Sequence, residues 1–337
     1  MEIRKKNIIL VDNDVKKDWK FKEGLEKTTN QTWEIYKFIS NKNHGNILQV
    51  LIRYIKYFLA PLRIFAKRKE YNKVLAWQQF YGLILAFYFR LLKIKSAPDI
   101  IVMTFIYKQK KHIVGRIYKR FVKYAITSGY IKKIIVFSKN EKNYYSNIFN
   151  VSSEIFNCVR LGYEDKAKDT VYKKREKYYL TAGRSNRDYD FLIEAWKEEK
   201  DVLKIVCDIM KMDNLNKIEI LNNCYGDEYF RQLSNAYAVI IPLKDEYISS
   251  GQLVIIQAMM FGIPVIVTEN ATIRDYVIDG QDGFVIDKNN EELKKAIEKL
   301  ADKELYAKIS KNVRKHYKEK FSIYVMGCAV GNIVKEI

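Results

Sequence analysis

Two short stretches in the second half of the chain hold residues suited to gripping an anion. The first is TAGRSNRDYD, residues 181–190. Gly183 gives the backbone freedom to turn, and Arg184 and Arg187 sit in that turn, where guanidinium groups can clamp phosphate oxygens in bidentate fashion. The plain alternative is a solvated turn with Asp188 or Asp190 as a helix N-cap. The second stretch is YISSGQ, residues 247–252. Ser249, Ser250, Gly251 and Gln252 precede an apolar helix, whose first turn offers free N–H groups and partial positive charge to a phosphate. The alternative there is a serine cap on a buried helix. Two anion-ready loops opening on one sheet edge suit a diphosphate.

Other candidate chemistry is sparse. Asp12-x-Asp14 has the spacing of a metal-binding pair at a strand end, but a turn or helix cap explains it as well, and no metal is expected. The histidines are His44, His112 and His316. His112 follows the loop YKQKKH and is the one candidate for a catalytic imidazole, against simple surface placement. Cys158, Cys207, Cys224 and Cys328 are scattered without C-x-x-C spacing, which reads as free thiols in a reducing compartment.

These residues must be positioned by alternating strands and helices, the pattern of parallel sheets in an α/β arrangement. In the first half, 7–12, 73–78, 99–105, 133–138 and 156–160 read as strands. Residues 47–67, 80–93, 112–127 and 140–149 read as helices. The polar segment 163–177 reads as a crossing between domains. In the second half, 178–182, 203–207, 239–242, 264–268 and a short run after Asp282-Gly283 read as strands, and 190–198, 253–261, 290–300, 303–320 and 322–337 as helices. Gly262 is expected to end its helix before Pro264 restarts the chain.

A length of 337 residues with 48% hydrophobic content fits two domains of ordinary size. The start of the chain lacks a secretory core segment, and the longest apolar run, FYGLILAFYF, is too short for a bilayer span of about 20 residues. The expectation is a cytoplasmic protein. Charge is uneven: residues 1–160 hold 32 Lys and Arg against 11 Asp and Glu, and the remainder holds 28 against 29. Between residues 41 and 133 the only acids are Glu70 and Asp99. Basic residues interleaved with aromatics and aliphatics, as in LIRYIKYFLAPLRIFAKRK, suit the headgroup region of an anionic membrane. Incidental surface charge and a nucleic-acid surface are the alternatives, the latter without any recognised module to accompany it.

The second half resembles the group-1 glycosyltransferases of the GT-B fold, retaining enzymes that use nucleotide sugars. The resemblance rests on GRSNRDYDFLIEAW, YAVIIPL, SSGQLVIIQAMMFGIPVIVT and RDYVIDGQDGFVID, in order and at the right spacing. In the first half it rests on IIVFSKNEKNYY and RLGYED. It implies two Rossmann-like domains facing a cleft: 1–162 for the acceptor and the membrane, 163–320 for the donor, and 321–337 as a helix crossing back. It also implies no cofactor, with a UDP or GDP sugar as substrate and a lipid-linked or oligosaccharide acceptor. The donor site would comprise Gly183, Arg184, Arg187, Ser249, Ser250, Gly251, Gln252, Gln257 and Asp245. Two departures stand out. Ser249 and Gln257 occupy positions that carry carboxylates in the family, and the Gly-Gly turn after the first strand is replaced by VDNDVKKDW. Gln257 keeps hydrogen-bonding reach toward a ribose without the charge, and Asp245 or Glu246 can reach in from the preceding loop. A non-catalytic partner protein of the same fold and a sugar-nucleotide epimerase are the rival readings; the second requires acid and base carboxylates that the sequence does not show.

Overall fold

The computed structural model describes residues 5–38, 47–110, 112–167, 176–210, 216–245 and 250–337. The chain divides into two compact units, Met1–Val159 with Met326–Ile337, and Arg160–Val325.

The first unit holds β1 (Lys6–Val11), α1 (Lys20–Thr29), β2 (Trp33–Lys37), α2 (Ile47–Ala66), β3 (Tyr71–Ala76), α3 (Gln79–Leu91), β4 (Asp99–Val102), α4 (His112–Ile126), β5 (Ile131–Val136), α5 (Lys139–Phe149) and β6 (Phe156–Cys158). The sheet order is β2-β1-β3-β4-β5-β6, and every pairing is parallel. Ile8, Ile9, Leu10 and Val11 are fully buried, as expected of a central parallel strand covered on both faces. The strand order reverses direction once, so right-handed crossovers place α1 on one face and α2, α3 and α4 on the other. Glycines at 327 and 331 of the C-terminal helix fit against α1; a Cβ on Gly327 would lie 2.2 Å from the Phe21 carbonyl oxygen.

The second unit holds β7 (Tyr178–Ala182), α6 (Tyr189–Trp196), β8 (Val202–Val206), β9 (Ile218–Leu221), α7 (Gly226–Asn235), β10 (Ala238–Ile241), α8 (Gln252–Met260), β11 (Val265–Thr268), β12 (Gly283–Ile286), α9 (Asn290–Leu300) and α10 (Lys303–His316). A π-turn over Tyr317–Phe321 separates α10 from α11 (Ile323–Lys335), where the sequence suggested one helix to residue 320. The sheet order is β12-β11-β10-β7-β8-β9, again all parallel. Helix α8 is buried almost throughout, which its apolar sequence requires. It ends as expected: Gly262 takes φ +68°, and the Ile263 N–H closes on the Ala258 carbonyl at 3.0 Å.

Four elements had no sequence expectation: α1, β2, β9 and α7. The strands are short edge strands with mixed exposure, and both helices are largely polar. Of the expected crossing segment, residues 168–175 lie outside the described residues.

Candidate functional site

In the second sheet β7 and β10 are neighbours, and the strand order reverses between them. Crossovers leave these two strands toward opposite faces, which opens a crevice beyond their carboxyl ends. Both anion-ready loops start there, one after β7 and one after β10.

The two loops are joined to each other. Asn186 donates from Nδ2 to the Asp245 carbonyl at 3.1 Å and to Ser250 Oγ at 2.9 Å, and its Oδ1 accepts the Asp245 N–H at 2.8 Å. Arg187 forms an isolated antiparallel bridge with Leu243, and the Asp188 N–H donates to the Pro242 carbonyl at 2.9 Å. Asn186 adopts φ +53°, a left-handed conformation that asparagine tolerates better than most residues. The sequence reading overlooked Asn186; an asparagine inside a short polar turn is the signal that marks it.

Gly183, at φ +114°, lets the Arg187 guanidinium lie against the turn, since a Cβ at 183 would stand 3.0 Å from it. Arg187 Nε donates to the Ala182 carbonyl and Nη1 to the Ser185 carbonyl, each at 3.0 Å. Burial lowers its pKa, partly offset by Tyr189, Tyr229 and Cys207 nearby, yet a guanidinium stays charged at any working pH. Two of its five N–H groups hold the loop. The other three have no partner among the described residues.

Arg184 is exposed and lies 3.6 Å from Asp208 at the end of β8. The Tyr225 hydroxyl, just before α7, donates to Asp208 at 2.7 Å and is the chief reason that carboxyl titrates below its ordinary value. Asp208 and Tyr225 were not among the expected site residues: Asp208 follows β8, a strand the sequence did mark, without any anion-binding residue type beside it, and Tyr225 precedes α7, which has a weak sequence signal.

Gly251, at φ +90°, opens α8, and no side chain caps that helix among the described residues. Ser250 is half-buried beside Asn186, while Ser249 and Glu246 lie outside the described residues. Gln252 is buried, with its amide 3.4 Å from Thr272 Oγ1. Asp245 enters the site through its backbone, whose carbonyl also accepts from Asn270 Nδ2 at 2.9 Å. Gln257 is buried, and its Oε1 accepts the Tyr229 hydroxyl at 3.0 Å. Its carbonyl is therefore engaged, while its NH2 makes no hydrogen bond among the described residues. Beside the second loop, a cavity of about 320 Å³ lies at the ends of β10, β11 and β12, with Leu243, Asn270 and Lys288 in its wall. Lys288 ion-pairs with Asp188 at 3.0 Å, and Asp188 caps α6 through the Phe191 N–H at 3.2 Å.

In the first unit, Asp14 is exposed and ion-paired with Lys37 at 2.6 Å. Among the described residues no three His, Cys, Asp or Glu side chains gather as a metal site. His112 is exposed at the first position of α4, with φ +66°. His316 is engaged with the buried Asp282 at 2.7 Å, and His44 lies outside the described residues. All four cysteines are free thiols.

With this geometry in view, residues 163–316 match the family described as glycosyl transferases group 1. An uncharacterized glycosyltransferase of Methanocaldococcus jannaschii is 28% identical over 227 residues, which are 63% of this chain and 60% of that relative's length. Two solved structures share the fold. HepE of Anabaena, crystallised with UDP, has a TM-score of 0.66 at 11% identity, covering 98% of this chain and 100% of that one. Sucrose-phosphate synthase of Thermosynechococcus elongatus has a TM-score of 0.68 at 14% identity, covering 99% of each. The chain therefore has the GT-B fold of two Rossmann-like domains, and the match to the group-1 glycosyltransferases lies within its second unit.

Proposed function

We propose that this chain, a glycosyltransferase by its second unit, moves a sugar from a nucleotide-diphosphate sugar to a lipid-linked or surface-polysaccharide acceptor with retention at the anomeric carbon. One observation carries the reading: the loops after β7 and β10 are stapled together at the strand-order reversal, with Arg184, Arg187 and the start of α8 around the same crevice. That arrangement suits a diphosphate. The UDP held by the Anabaena protein of the same fold supports the same donor class.

In the transfer, the bond between the anomeric carbon and the phosphate oxygen breaks, and the acceptor oxygen bonds to that carbon. The acceptor proton passes to the leaving diphosphate, so no protein base is required. The charge developing on the diphosphate is met by Arg184, by the unspent N–H groups of Arg187 and by the N-terminus of α8 at Ser250 and Gly251. Gln257 is assigned to a ribose or sugar hydroxyl through its NH2 group. We assign no metal to the reaction, and chelation with EDTA is expected to leave transfer unchanged.

The test is a panel of UDP and GDP sugars scored first by thermal stabilisation and then by transfer. A fitting donor at 100 times its Kd raises folding stability by about 2.7 kcal/mol. Arg184→Ala and Arg187→Ala are expected to abolish both the shift and the transfer while the protein stays folded. A flat response of the wild type to every donor overturns the assignment. Stabilisation without turnover, in the presence of acceptor lipids, would assign the chain to a binding role instead.

A further inference from the structure

Helices α2, α3 and α4 lie side by side on one face of the first sheet, with Phe80 of α3 between Tyr57 of α2 and Tyr118 of α4. Helix α3 is spent on the core. The outer helices are not. On α2, Ile52, Ile55, Leu59 and Leu62 recur at i, i+3, i+7 and i+10, one helical face, and all four are exposed. On α4, Ile113, Val114 and Ile117 stand 61–66% exposed. Single exposed aliphatics are ordinary, but a run at helical spacing on the water side of two helices in one layer is not.

The charge around these faces says what covers them. Lys56 and Arg63 are exposed on α2, with Lys67 just past its end, and Arg116, Arg120 and Lys123 on α4. Neither helix contains an acidic residue. Aliphatic faces edged by cations alone match a surface that is apolar below and anionic above. A second copy of this chain would bring the same cations against these and be repelled. We propose that the outer faces of α2 and α4 form one docking surface for an anionic bilayer, the aliphatics entering the boundary between headgroups and acyl chains and the basic residues lying among the phosphates. This surface lies on the first unit and the donor loops on the second, and a vesicle experiment without any sugar donor tests it alone.

The full chain is mixed with vesicles of phosphatidylcholine, with or without phosphatidylglycerol, at about 0.05 M and about 0.5 M salt, and sedimented. The wild type is expected to sediment with the anionic vesicles at low salt and largely to leave them at high salt. The double variants Ile113→Glu/Ile117→Glu and Arg116→Glu/Arg120→Glu are each expected to lower the partition coefficient by at least about tenfold. Ile113→Leu/Ile117→Leu should bind as wild type, as should Lys308→Glu/Lys311→Glu in the second unit. Circular dichroism melting checks that the variants are folded, and the wild-type arms decide the matter if they are not. A wild type that stays in the supernatant with anionic vesicles, or binds both vesicle types equally at both salts, overturns the proposal. So does a folded Ile113→Glu/Ile117→Glu variant that binds undiminished. A dimer broken by that variant, with no vesicle binding, reassigns the face to a second copy; binding to oligonucleotides alone reassigns it to nucleic acid.

Discussion

The side chain of Asn186 binds on both sides of its amide to the loop after β10, its Nδ2 reaching Ser250 Oγ at 2.9 Å while its Oδ1 accepts the Asp245 N–H at 2.8 Å. Together with the Arg187–Leu243 bridge and the bond from the Asp188 N–H to the Pro242 carbonyl, it sets the spacing between the two arginines of the first loop and the N-terminus of α8. The proposed grip on a diphosphate by Arg184, Arg187 and that N-terminus requires this distance to hold.

Replacing Asn186 separates two effects. Asn186→Gly keeps the left-handed backbone and loses the three amide hydrogen bonds, at about 1 kcal/mol each, so roughly 3 kcal/mol of stability should go. Asn186→Ala adds the cost of a Cβ at φ +53°, about 1–2 kcal/mol more. Urea unfolding followed by the fluorescence of Trp196, which is buried in the same unit, reads both. A glycine variant with the wild-type midpoint would show that the staple carries no load.

Arg184 is expected to be held back in the ligand-free protein by Asp208. The pair is exposed and 3.6 Å apart, so its hold is weak. Asp208→Asn should therefore tighten binding of a nucleoside diphosphate by roughly two- to fivefold, while Arg184→Ala weakens it. Titration calorimetry with UDP and GDP measures both. Looser binding by Asp208→Asn would mean that the carboxylate itself touches the ligand.

The sequence made the two loops readable because their residues have few other uses. A glycine and two arginines after a strand, or serines and a glycine before an apolar helix, mark a candidate anion site by composition. The partners of those residues were not readable. Asp208 and Tyr225 flank β9, a four-residue edge strand of mixed exposure, and Tyr229 lies on α7, whose polar sequence hides its buried Leu233. The commitment of Gln257 to Tyr229 depends on residues 28 positions apart and has no local trace. In the first unit the central strands were legible as unbroken apolar runs. The edge strand Trp33–Lys37, exposed or half-buried at four of its five positions, was not.

Asp188 gives the domain an acid-dependent component of stability. Burial alone would push its carboxyl up, but the Lys288 ammonium and the Phe191 N–H outweigh burial and hold it below its ordinary value. A depressed folded pKa means stability present above the unfolded value of about 3.8 and lost as pH falls through the folded one. Asp188→Asn keeps an N-cap and removes the charge. It should be less stable than wild type near pH 6, with the difference shrinking below about pH 3. A difference that stays constant across that range would place the loss in packing instead of charge.

Two glycines divide the site from its scaffold. Gly283 has φ +147°, and a Cβ there would sit 1.8 Å from the Val265 carbonyl oxygen, backbone that cannot yield without parting β11 from β12. Gly283→Ala should cost at least about 3 kcal/mol and lower the melting temperature whether or not a donor is present. Gly251 is different. Its φ of +90° strains an alanine by about 1–3 kcal/mol, and its Cβ would meet side chains only, Ile241 Cγ2 at 3.1 Å and Leu243 Cδ2 at 3.6 Å. That strain is relieved by turning the first residues of α8, which moves the N–H groups assigned to the diphosphate. Gly251→Ala should consequently lose donor affinity out of proportion to its loss of stability, with thermal melting and nucleotide titration read on the same samples. If Gly251→Ala melts lower but binds nucleotide as tightly as wild type, the helix N-terminus is not part of the grip, and the arginines hold the diphosphate without it.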